Sequence, residues 1–292
     1  MTNKSNCPVC LGVDSFERYP DELHGLSPTV DYKFTPTTRL TYEIVECSDC
    51  GHQYVSSAPQ VEILYTENED ETYLAAQQQR EKSAEAWLQI VTSAAPPSSA
   101  RTLLDIGCAT GIFLDKASRF YVVCGVELSE WASKIASRQH EVWRQPVSQQ
   151  TTTRRFDIVT MWGVIEHLSN PRDEINAISE LTNVDGLLFI YTGDRAAFLP
   201  RLLKKKWWWY QGMHIQYFSK SGLRQLLETS GFEVVGTRNL PIFFSLRSLA
   251  QSMNRYALLK PFVWILSKRP FSRLTIRLTL SGEMLMIARK VG

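Results

Sequence analysis

The strongest constraint on the fold is an alternation of short apolar runs and helix-like segments that begins at residue 101. Each apolar run has the length of a strand buried on both faces, and the segments between them have helical spacing. Strands that alternate with helices predict right-handed βαβ units, and therefore a parallel sheet covered by helices on both faces. The predicted strands are 103–106, 121–128, 156–162 and 187–192, and the predicted helices are 112–119, 130–140 and 173–182.

The last third of the chain is less regular. Residues 219–231 predict a helix with a serine cap and a glycine stop, followed by a strand at 232–238. Residues 283–290 predict a final strand of the same sheet. The stretch 241–277 is basic and aromatic, and we expect it to be helical in pieces broken by Pro261 and Pro270.

Length and composition allow one large core and a smaller accessory unit. The chain has 292 residues, of which 44% are apolar and 21% are charged, which excludes a wholly disordered chain. No apolar run reaches about 18 residues, so a conventional membrane span is not expected. Residues 1–10 lack the apolar core of a signal peptide, and we therefore expect a cytosolic protein.

The small net charge of +2 conceals a strong asymmetry. Residues 1–194 hold 15 Lys and Arg against 27 Asp and Glu, whereas residues 195–292 hold 17 against 3. The basic end should attract phosphate groups, an anionic membrane surface or nucleic acid.

A glycine-rich turn follows the first predicted strand. Gly107 and Gly111 lie between Asp105 and a predicted helix start, which allows a ligand to approach the backbone closely. Glu127 ends the second strand, 22 residues after Asp105, near the offset at which an acid binds ribose hydroxyls in dinucleotide folds. The ligand should therefore carry a ribose. The sequence has neither the G-x-G-x-x-G pattern of pyrophosphate sites nor a P-loop.

Three later stretches follow this turn in a fixed order: FDIVTMWGVIEHLSNP at 156–171, GLLFI at 186–190 and HIQYFS at 214–219. With the D-x-G-x-x-x-G turn, they resemble the small-molecule branch of class I S-adenosylmethionine-dependent methyltransferases. The resemblance implies an α/β, Rossmann-like, seven-stranded and mostly parallel sheet, with the turn around the amino-acid half of the methyl donor and the acid of strand two on its ribose. The residues it implies for donor binding are Asp105, Gly107, Cys108, Gly111, Glu127, Leu128, Trp162 and Glu166.

The sequence departs from relatives on the adenine side. Many of them carry an acidic or amide residue after the third strand, where this chain offers only Gln145 or the backbone near Val147. The adenine contact therefore stays open.

Two histidines are candidates for catalysis. A hydroxyl acceptor must lose a proton as it attacks a methyl group, which favours a nearby histidine or carboxylate. His167 follows the fourth strand and His214 lies in a segment expected to cover the acceptor. Ubiquinone-pathway O-methyltransferases, which this stretch also resembles, use an E-x-x-E-H cluster for a divalent cation. Gly163 replaces the first acid here, so a catalytic metal is disfavoured.

Two C-x-x-C pairs predict a metal site near the start of the chain. Four thiolates at this spacing complete a closed, tetrahedral zinc site, whose role is structural because no coordination position stays open. A disulfide is the weaker interpretation in a cytosolic chain. The four candidate ligands are Cys7, Cys10, Cys47 and Cys50.

A lysine–aromatic motif, KKKWWWY at 204–210, and the stretch 241–277 suggest an acceptor-side subdomain. Lysines attract phosphate, while tryptophan and tyrosine stack on sugars or lie at membrane interfaces. We therefore expect an anionic small-molecule or glycan acceptor, such as a nucleotide sugar or lipid-linked glycan, with peripheral contact to the inner face of the membrane as a further expectation.

Five regions are predicted: a zinc-ribbon-like module (1–60), a helical connector (61–99), the methyltransferase core (100–240), a basic aromatic helical insertion (241–280) and the last core strand (281–292). The leading hypothesis is O-methylation of a sugar, glycan or related metabolite. Three alternatives stay open: an RNA methyltransferase, with nucleic acid the disfavoured partner; a deoxysugar C-methyltransferase; and a non-catalytic module that does not bind S-adenosylmethionine.

Overall fold

A seven-stranded sheet organises the protein. The computed structural model describes residues 6–28, 39–57, 73–74, 76–246 and 275–292. The strands are β1 (Ser15–Tyr19), β2 (Ile44–Cys47), β3 (Gln53–Val55), β4 (Thr102–Ile106), β5 (Val122–Val126), β6 (Glu141–Trp143), β7 (Phe156–Trp162), β8 (Thr182–Gly193), β9 (Gln216–Tyr217), β10 (Phe232–Arg238), β11 (Pro241–Ser245), β12 (Thr275–Thr279) and β13 (Glu283–Lys290). The α-helices are α1 (Gln77–Ala94), α2 (Ile112–Ala117), α3 (Glu130–Ala136), α4 (Pro171–Leu181), α5 (Phe198–Leu203) and α6 (Lys220–Thr229).

The main sheet has the strand order β10-β13-β8-β7-β4-β5-β6. Neighbours from β8 to β6 run parallel, and β13 pairs antiparallel with both β8 and β10. The predicted α/β, Rossmann-like and mostly parallel sheet is confirmed, including the last strand at 283–290. Because β4, β5 and β7 are adjacent and parallel, the residues that follow them meet at one edge of the sheet.

Both faces of the sheet are covered, which explains why its strands are apolar without a break. On β4, Leu103 packs in one hydrophobic cluster and Leu104 in the other, and on β8 Leu188 and Phe189 divide in the same way. Successive side chains of a strand point to opposite faces. Helices α4 and α6 cover one face, while α1 and α2 cover the other.

Local signals set several helix ends. Ser129, Asn170 and Ser219 each accept a hydrogen bond from a backbone amide in the first turn of α3, α4 and α6, as N-caps do. Helix α1 falls in the region predicted as a connector, but Leu88 and Val91 are buried in the core. Residues 61–72 of the predicted helical connector lie outside the described residues.

A second, antiparallel sheet has the order β1-β2-β3-β9. Its first three strands come from the cysteine-containing region, as expected for the strand ending at Cys47. Its last strand, β9, comes from the segment that follows His214. The N-terminal module therefore shares a sheet with the predicted acceptor side of the core.

The structure corrects two expectations about the basic end of the chain. Residues 241–245 and 275–279 form an antiparallel strand pair, not helix; residues 247–274 lie outside the described range. In the lysine–aromatic motif, Trp207, Trp209 and Tyr210 are buried in the core. Because these three side chains are buried, they do not stack on a sugar or lie at a membrane interface as expected. Composition alone does not distinguish exposed aromatic residues from aromatic residues of a core.

Candidate methyl-donor and acceptor site

The glycine turn after β4 has the backbone that the sequence predicted. Gly107 has a φ of +71° and Gly111 a φ of +88°, values that glycine adopts without the steric cost that other residues incur. The backbone amides of Gly107 and Cys108 both donate to the carbonyl of Val126 on β5. The turn is therefore fixed against the neighbouring strand before α2 begins.

Two acids face this turn, of which Asp105 is buried and Glu127 is half-buried. Thr160 donates a 2.6 Å hydrogen bond to Asp105, while Glu127 accepts hydrogen bonds from the amides of Ala109 (2.8 Å) and Ser129 (2.7 Å). Burial raises the pKa of Asp105 to about 7 despite the Thr160 bond, and the charge of Glu127 adds to this shift. Burial also raises the pKa of Glu127. A cationic ligand at this position would offset the cost of two negative charges that are partly or fully removed from water.

The other predicted donor-binding residues lie around the same edge. Cys108 is buried, and its sulfur packs so closely on Gly125 that a Cβ there would lie 2.6 Å away. Leu128 is half-buried after β5. Trp162 ends β7 and stacks on Trp87 of α1 at 4.9 Å between ring centroids.

The residues present fit an adenosine-containing sulfonium compound. The indole N–H of Trp162 is buried and has no hydrogen-bond partner among the described residues, as expected beside a site that a polar ligand completes. The acids at Asp105 and Glu127 provide acceptors for an amino group and for ribose hydroxyls. When bound, S-adenosylmethionine supplies a methyl group activated by positive sulfur.

On the adenine side, where the sequence left the contact undetermined, the structure shows which groups the candidate residues engage. The amides of Val147 and Ser148 donate to the carboxylate of Glu174 on α4, at 2.7 and 3.1 Å. These amides are therefore engaged within the protein. Gln145 is exposed, and its carbonyl accepts a hydrogen bond from the side chain of Gln150.

The two candidate catalytic histidines lie next to each other. Their ring centroids are 4.7 Å apart, with the rings at 66°. The Nδ1 atom of His167 lies 2.8 Å from the Met213 carbonyl, and that of His214 lies 2.6 Å from the Trp209 carbonyl. A carbonyl only accepts, so both rings carry their proton on Nδ1 when neutral, which leaves Nε2 as the basic nitrogen.

Glu166 lies with the histidines. Ligand atoms of Glu166, His167 and His214 are within 4.8 Å of one another, a donor set that also suits a divalent cation. Gly163 disfavours a metal in the local E-x-x-E-H spacing, but His214 adds a third donor from a distant segment. The expected absence of a catalytic metal therefore stays a prediction.

A second buried acid lies behind Glu166. Thr192 donates to Glu166 at 2.9 Å, while Tyr191 (2.6 Å) and Trp208 (3.0 Å) donate to Glu283 on β13. Burial raises the pKa of Glu166 to about 8 and that of Glu283 to about 7. The charge of Glu283 adds to the upward shift in the pKa of Glu166.

These raised pKa values predict a pH-dependent stability. Because the folded protein favours the protonated forms of Glu166 and Glu283, their contribution to stability is fully present below about pH 4.5, the ordinary glutamate pKa. That contribution is lost as the pH rises towards 8. We expect the free energy of unfolding, measured by urea titration, to fall between pH 5.5 and 8, and Glu166→Gln to make that fall shallower. Glu180→Gln, at an exposed position on α4, is the control. An unchanged slope in Glu166→Gln would contradict the assignment.

The four cysteines of the N-terminal module converge. Their sulfurs lie within 4.8 Å of one another, with Cys7 and Cys50 at 3.5 Å and Cys10 and Cys47 at 3.5 Å. A disulfide requires a separation of about 2.05 Å, whereas sulfurs at about 2.3 Å from a tetrahedral zinc ion are about 3.8 Å apart. The geometry fits a four-thiolate metal site.

Sequence reasoning missed several residues near the site. Arg80 lies 3.6 Å from the ring centroid of Tyr73. Burial raises the pKa of Tyr73, and Glu127 and Asp105 are close enough for their charges to add to this shift. Neither residue belongs to a motif. Thr160 and Thr192 carried a weak signal, since a polar residue within an apolar strand points to a buried partner.

Comparison with known proteins identifies the family of this chain. The family model described as "Methyltransferase domain" matches residues 76–237, more than half of the chain. The chain belongs to the class I S-adenosylmethionine-dependent methyltransferases. No helix in the described ranges combines the length and apolar character needed to cross a membrane.

Curated relatives carry a more specific name. A "Ubiquinone biosynthesis O-methyltransferase" from Glaesserella parasuis is 34% identical over 112 residues, which cover 33% of this chain and 47% of that protein. A mitochondrial enzyme of the same name from Schizosaccharomyces pombe is 32% identical over 120 residues, covering 36% and 42%. The chain thus spans less than half of the length of these relatives.

Solved structures agree at the level of the fold. A methyltransferase from Archaeoglobus fulgidus has a TM-score of 0.52 and 16% identity, covering 76% of this chain and all of that one. The [4+2]-cyclase SpnF has a TM-score of 0.51 and 16% identity, covering 74% and 82%. Since a cyclase shares the fold, the fold alone does not define the reaction.

Proposed function

We propose that this enzyme transfers a methyl group to a hydroxyl of a small molecule, with His167 as the general base. One observation carries the proposal: two histidines are in contact, each with Nδ1 on a backbone carbonyl, and His167 follows the strand that lies beside β4 and the donor turn. Such fixed rings present Nε2 to a proton that an acceptor hydroxyl must lose. The name of the partial relatives, O-methyltransferase, supports oxygen as the methylated atom.

Burial divides the roles of the two histidines. His214 is fully buried, and its pKa lies well below the ordinary value because of burial, with the charge of His167 adding to the shift. His214 is therefore neutral at pH 7 and serves as the fixed neighbour. His167 is half-buried, so it has a route by which a proton reaches solvent. His167 binds the acceptor's proton, while Asp105 and Glu127 orient the donor.

The names of the partial relatives narrow the class of hydroxyl compound that we propose as the acceptor. Ubiquinone biosynthesis, named for the partial relatives, favours a small aromatic or lipid-like hydroxyl compound. A sugar, nucleotide sugar or lipid-linked glycan stays a second candidate, carried by the exposed cations Arg201, Lys204 and Lys206 beside the acceptor-side segment. RNA and carbon acceptors gain no support from these observations.

A labelled-methyl survey tests the proposal. The enzyme is incubated with methyl-¹³C-labelled S-adenosylmethionine and separate panels of catechols, nucleotide sugars and total RNA, and products are read by NMR and mass spectrometry. We expect the label in O-methyl resonances of one small-molecule panel. Label on RNA, on carbon or on nitrogen, or no transfer in any panel while the donor binds, would contradict the proposal.

We also propose that the cysteine quartet binds one structural zinc ion. All four sulfurs lie within 4.8 Å of one another, and a closed four-thiolate site has a structural role because no coordination position stays open for catalysis. The zinc ion would join the turn at Cys7 to the hairpin at Cys47, and would so add to the pairing of β1 with β2.

Removing one ligand should destabilise the protein. We expect purified enzyme to contain one zinc per chain by elemental mass spectrometry, and Cys47→Ser to lose that zinc and lower the unfolding midpoint by on the order of 10 °C. Cys124→Ala, which removes a buried thiol from β5, should retain the zinc. Full zinc content in Cys47→Ser, or none in the wild type, would refute the site.

A further inference from the structure

Both carbonyls that fix the catalytic histidines belong to one short segment, residues 207–217. Trp209 accepts from His214 and Met213 accepts from His167. A 3₁₀ turn ends just before this segment, and apart from the two residues of β9 the segment itself has no regular secondary structure. Contacts with other parts of the protein must therefore hold the two carbonyls in place.

The N-terminal module provides several of these contacts. The Tyr210 hydroxyl donates to Gln53 at 2.6 Å. A Cβ on Gly212 would lie 2.6 Å from Pro28 and 2.7 Å from the Leu40 carbonyl, so the module packs directly on the residue before Met213. Lys205, just before the segment, forms an ion pair with Glu22 at 3.2 Å.

Gln216 makes the connection to the His167 loop. Its side-chain amide donates to the Leu168 carbonyl at 3.1 Å, one residue from His167, and its oxygen lies 2.9 Å from Nε2 of His52. His52 lies two residues after Cys50, and its neighbour Gln53 begins β3, which pairs with β9. Gln216, His52 and the Leu168 carbonyl are buried or half-buried, so water competes little for these hydrogen bonds.

We propose that the cysteine module forms one wall of the acceptor site and that Gln216 is a positioning residue, which transmits the state of the metal centre to His167. The inference rests on the proposed histidine base and zinc site. The module then has a role in catalysis that a merely stabilising zinc site lacks. Loss of the metal frees β3 to move, and because Gln216 connects β9 to the Leu168 carbonyl, the loop that orients Nε2 of His167 also becomes free to move.

Histidine NMR tests this relay without an acceptor. The chain has five histidines, so the ring ¹⁵N–¹H signals of His167 and His214 can be assigned with single His→Asn variants. In zinc-loaded wild type both should show the Nδ1–H tautomer. Stripping zinc from the wild type with a chelator should shift the His167 signal. In Gln216→Leu that signal should already differ from the wild-type signal before the chelator is added, and the chelator should shift it less than half as far as in wild type.

Two further measurements separate the outcomes. Zinc content and the affinity for S-adenosylhomocysteine should be unchanged in Gln216→Leu, and Gln225→Leu, on the exposed face of α6, should match wild type throughout. A His167 signal that is the same in Gln216→Leu as in wild type, or that responds fully to the chelator in that variant, overturns the relay. Absence of zinc from the wild type would overturn the metal site and the relay together, whereas the displacement caused by Gln216→Leu would still show that Gln216 positions His167.

Discussion

Replacement of His167 by Asn should lower kcat by about 100- to 10,000-fold, the range in which a positioned general base contributes. Asparagine keeps a donor for the Met213 carbonyl, which His167 contacts at 2.8 Å, but it has no basic nitrogen. The rate of the wild type should fall at low pH, where the base is protonated, and the variant should lose that dependence. The measurement is a pH–rate profile with the acceptor found in the labelled-methyl survey.

Two controls make this result specific. His24→Asn changes an exposed histidine whose φ is +49°, a conformation that asparagine tolerates, and it should retain wild-type kcat. The affinity of His167→Asn for S-adenosylhomocysteine should also stay within twofold of wild type. A variant that keeps its rate and its pH dependence would exclude His167 as the base.

Replacement of Glu127 by Ala should weaken S-adenosylmethionine binding by about 10- to 100-fold, which corresponds to loss of a hydrogen bond to a charged group of about 1.5–3 kcal/mol. Glu127 also accepts from the amides of Ala109 and Ser129, so its loss relaxes the turn that surrounds the donor. Isothermal titration calorimetry with S-adenosylmethionine measures the change.

The neighbouring acid provides the matched control. Glu130 lies three residues on, at the exposed start of α3, and pairs with Lys134 at 2.7 Å; Glu130→Ala should bind the donor as wild type does. Glu127→Gln, which keeps shape but not charge, should show an intermediate loss. If Glu127→Ala folds, by circular dichroism, and still binds with wild-type affinity, then the donor site lies elsewhere.

Local patterns predicted the core of this protein well. Hydrophobic spacing predicted most strands and helices of the main sheet between residues 102 and 238 and the last strand at 283–290, but not the strand pair at 241–245 and 275–279. The turn from Asp105 to Gly111 was identifiable because all of its members lie within seven residues. Glu127 could be added because β4 and β5 are adjacent parallel strands, whose ends must meet.

Contacts between distant segments were not predictable in the same way. His167 and His214 were each singled out, but nothing local indicates that rings 47 residues apart touch. The pairing of β3 with β9 joins residues more than 160 positions apart, and no periodicity encodes it. The burial of Trp207 and Trp209 was missed because composition describes a segment without describing what packs on it.

The most direct test of the account is native mass spectrometry of the full chain with S-adenosylhomocysteine. We expect one nucleoside per chain on a protein that also retains one metal ion, with nucleoside occupancy reduced in Glu127→Ala and the metal lost in Cys47→Ser. A wild-type chain that binds no nucleoside at saturating concentration would contradict the central claim, whatever its metal content.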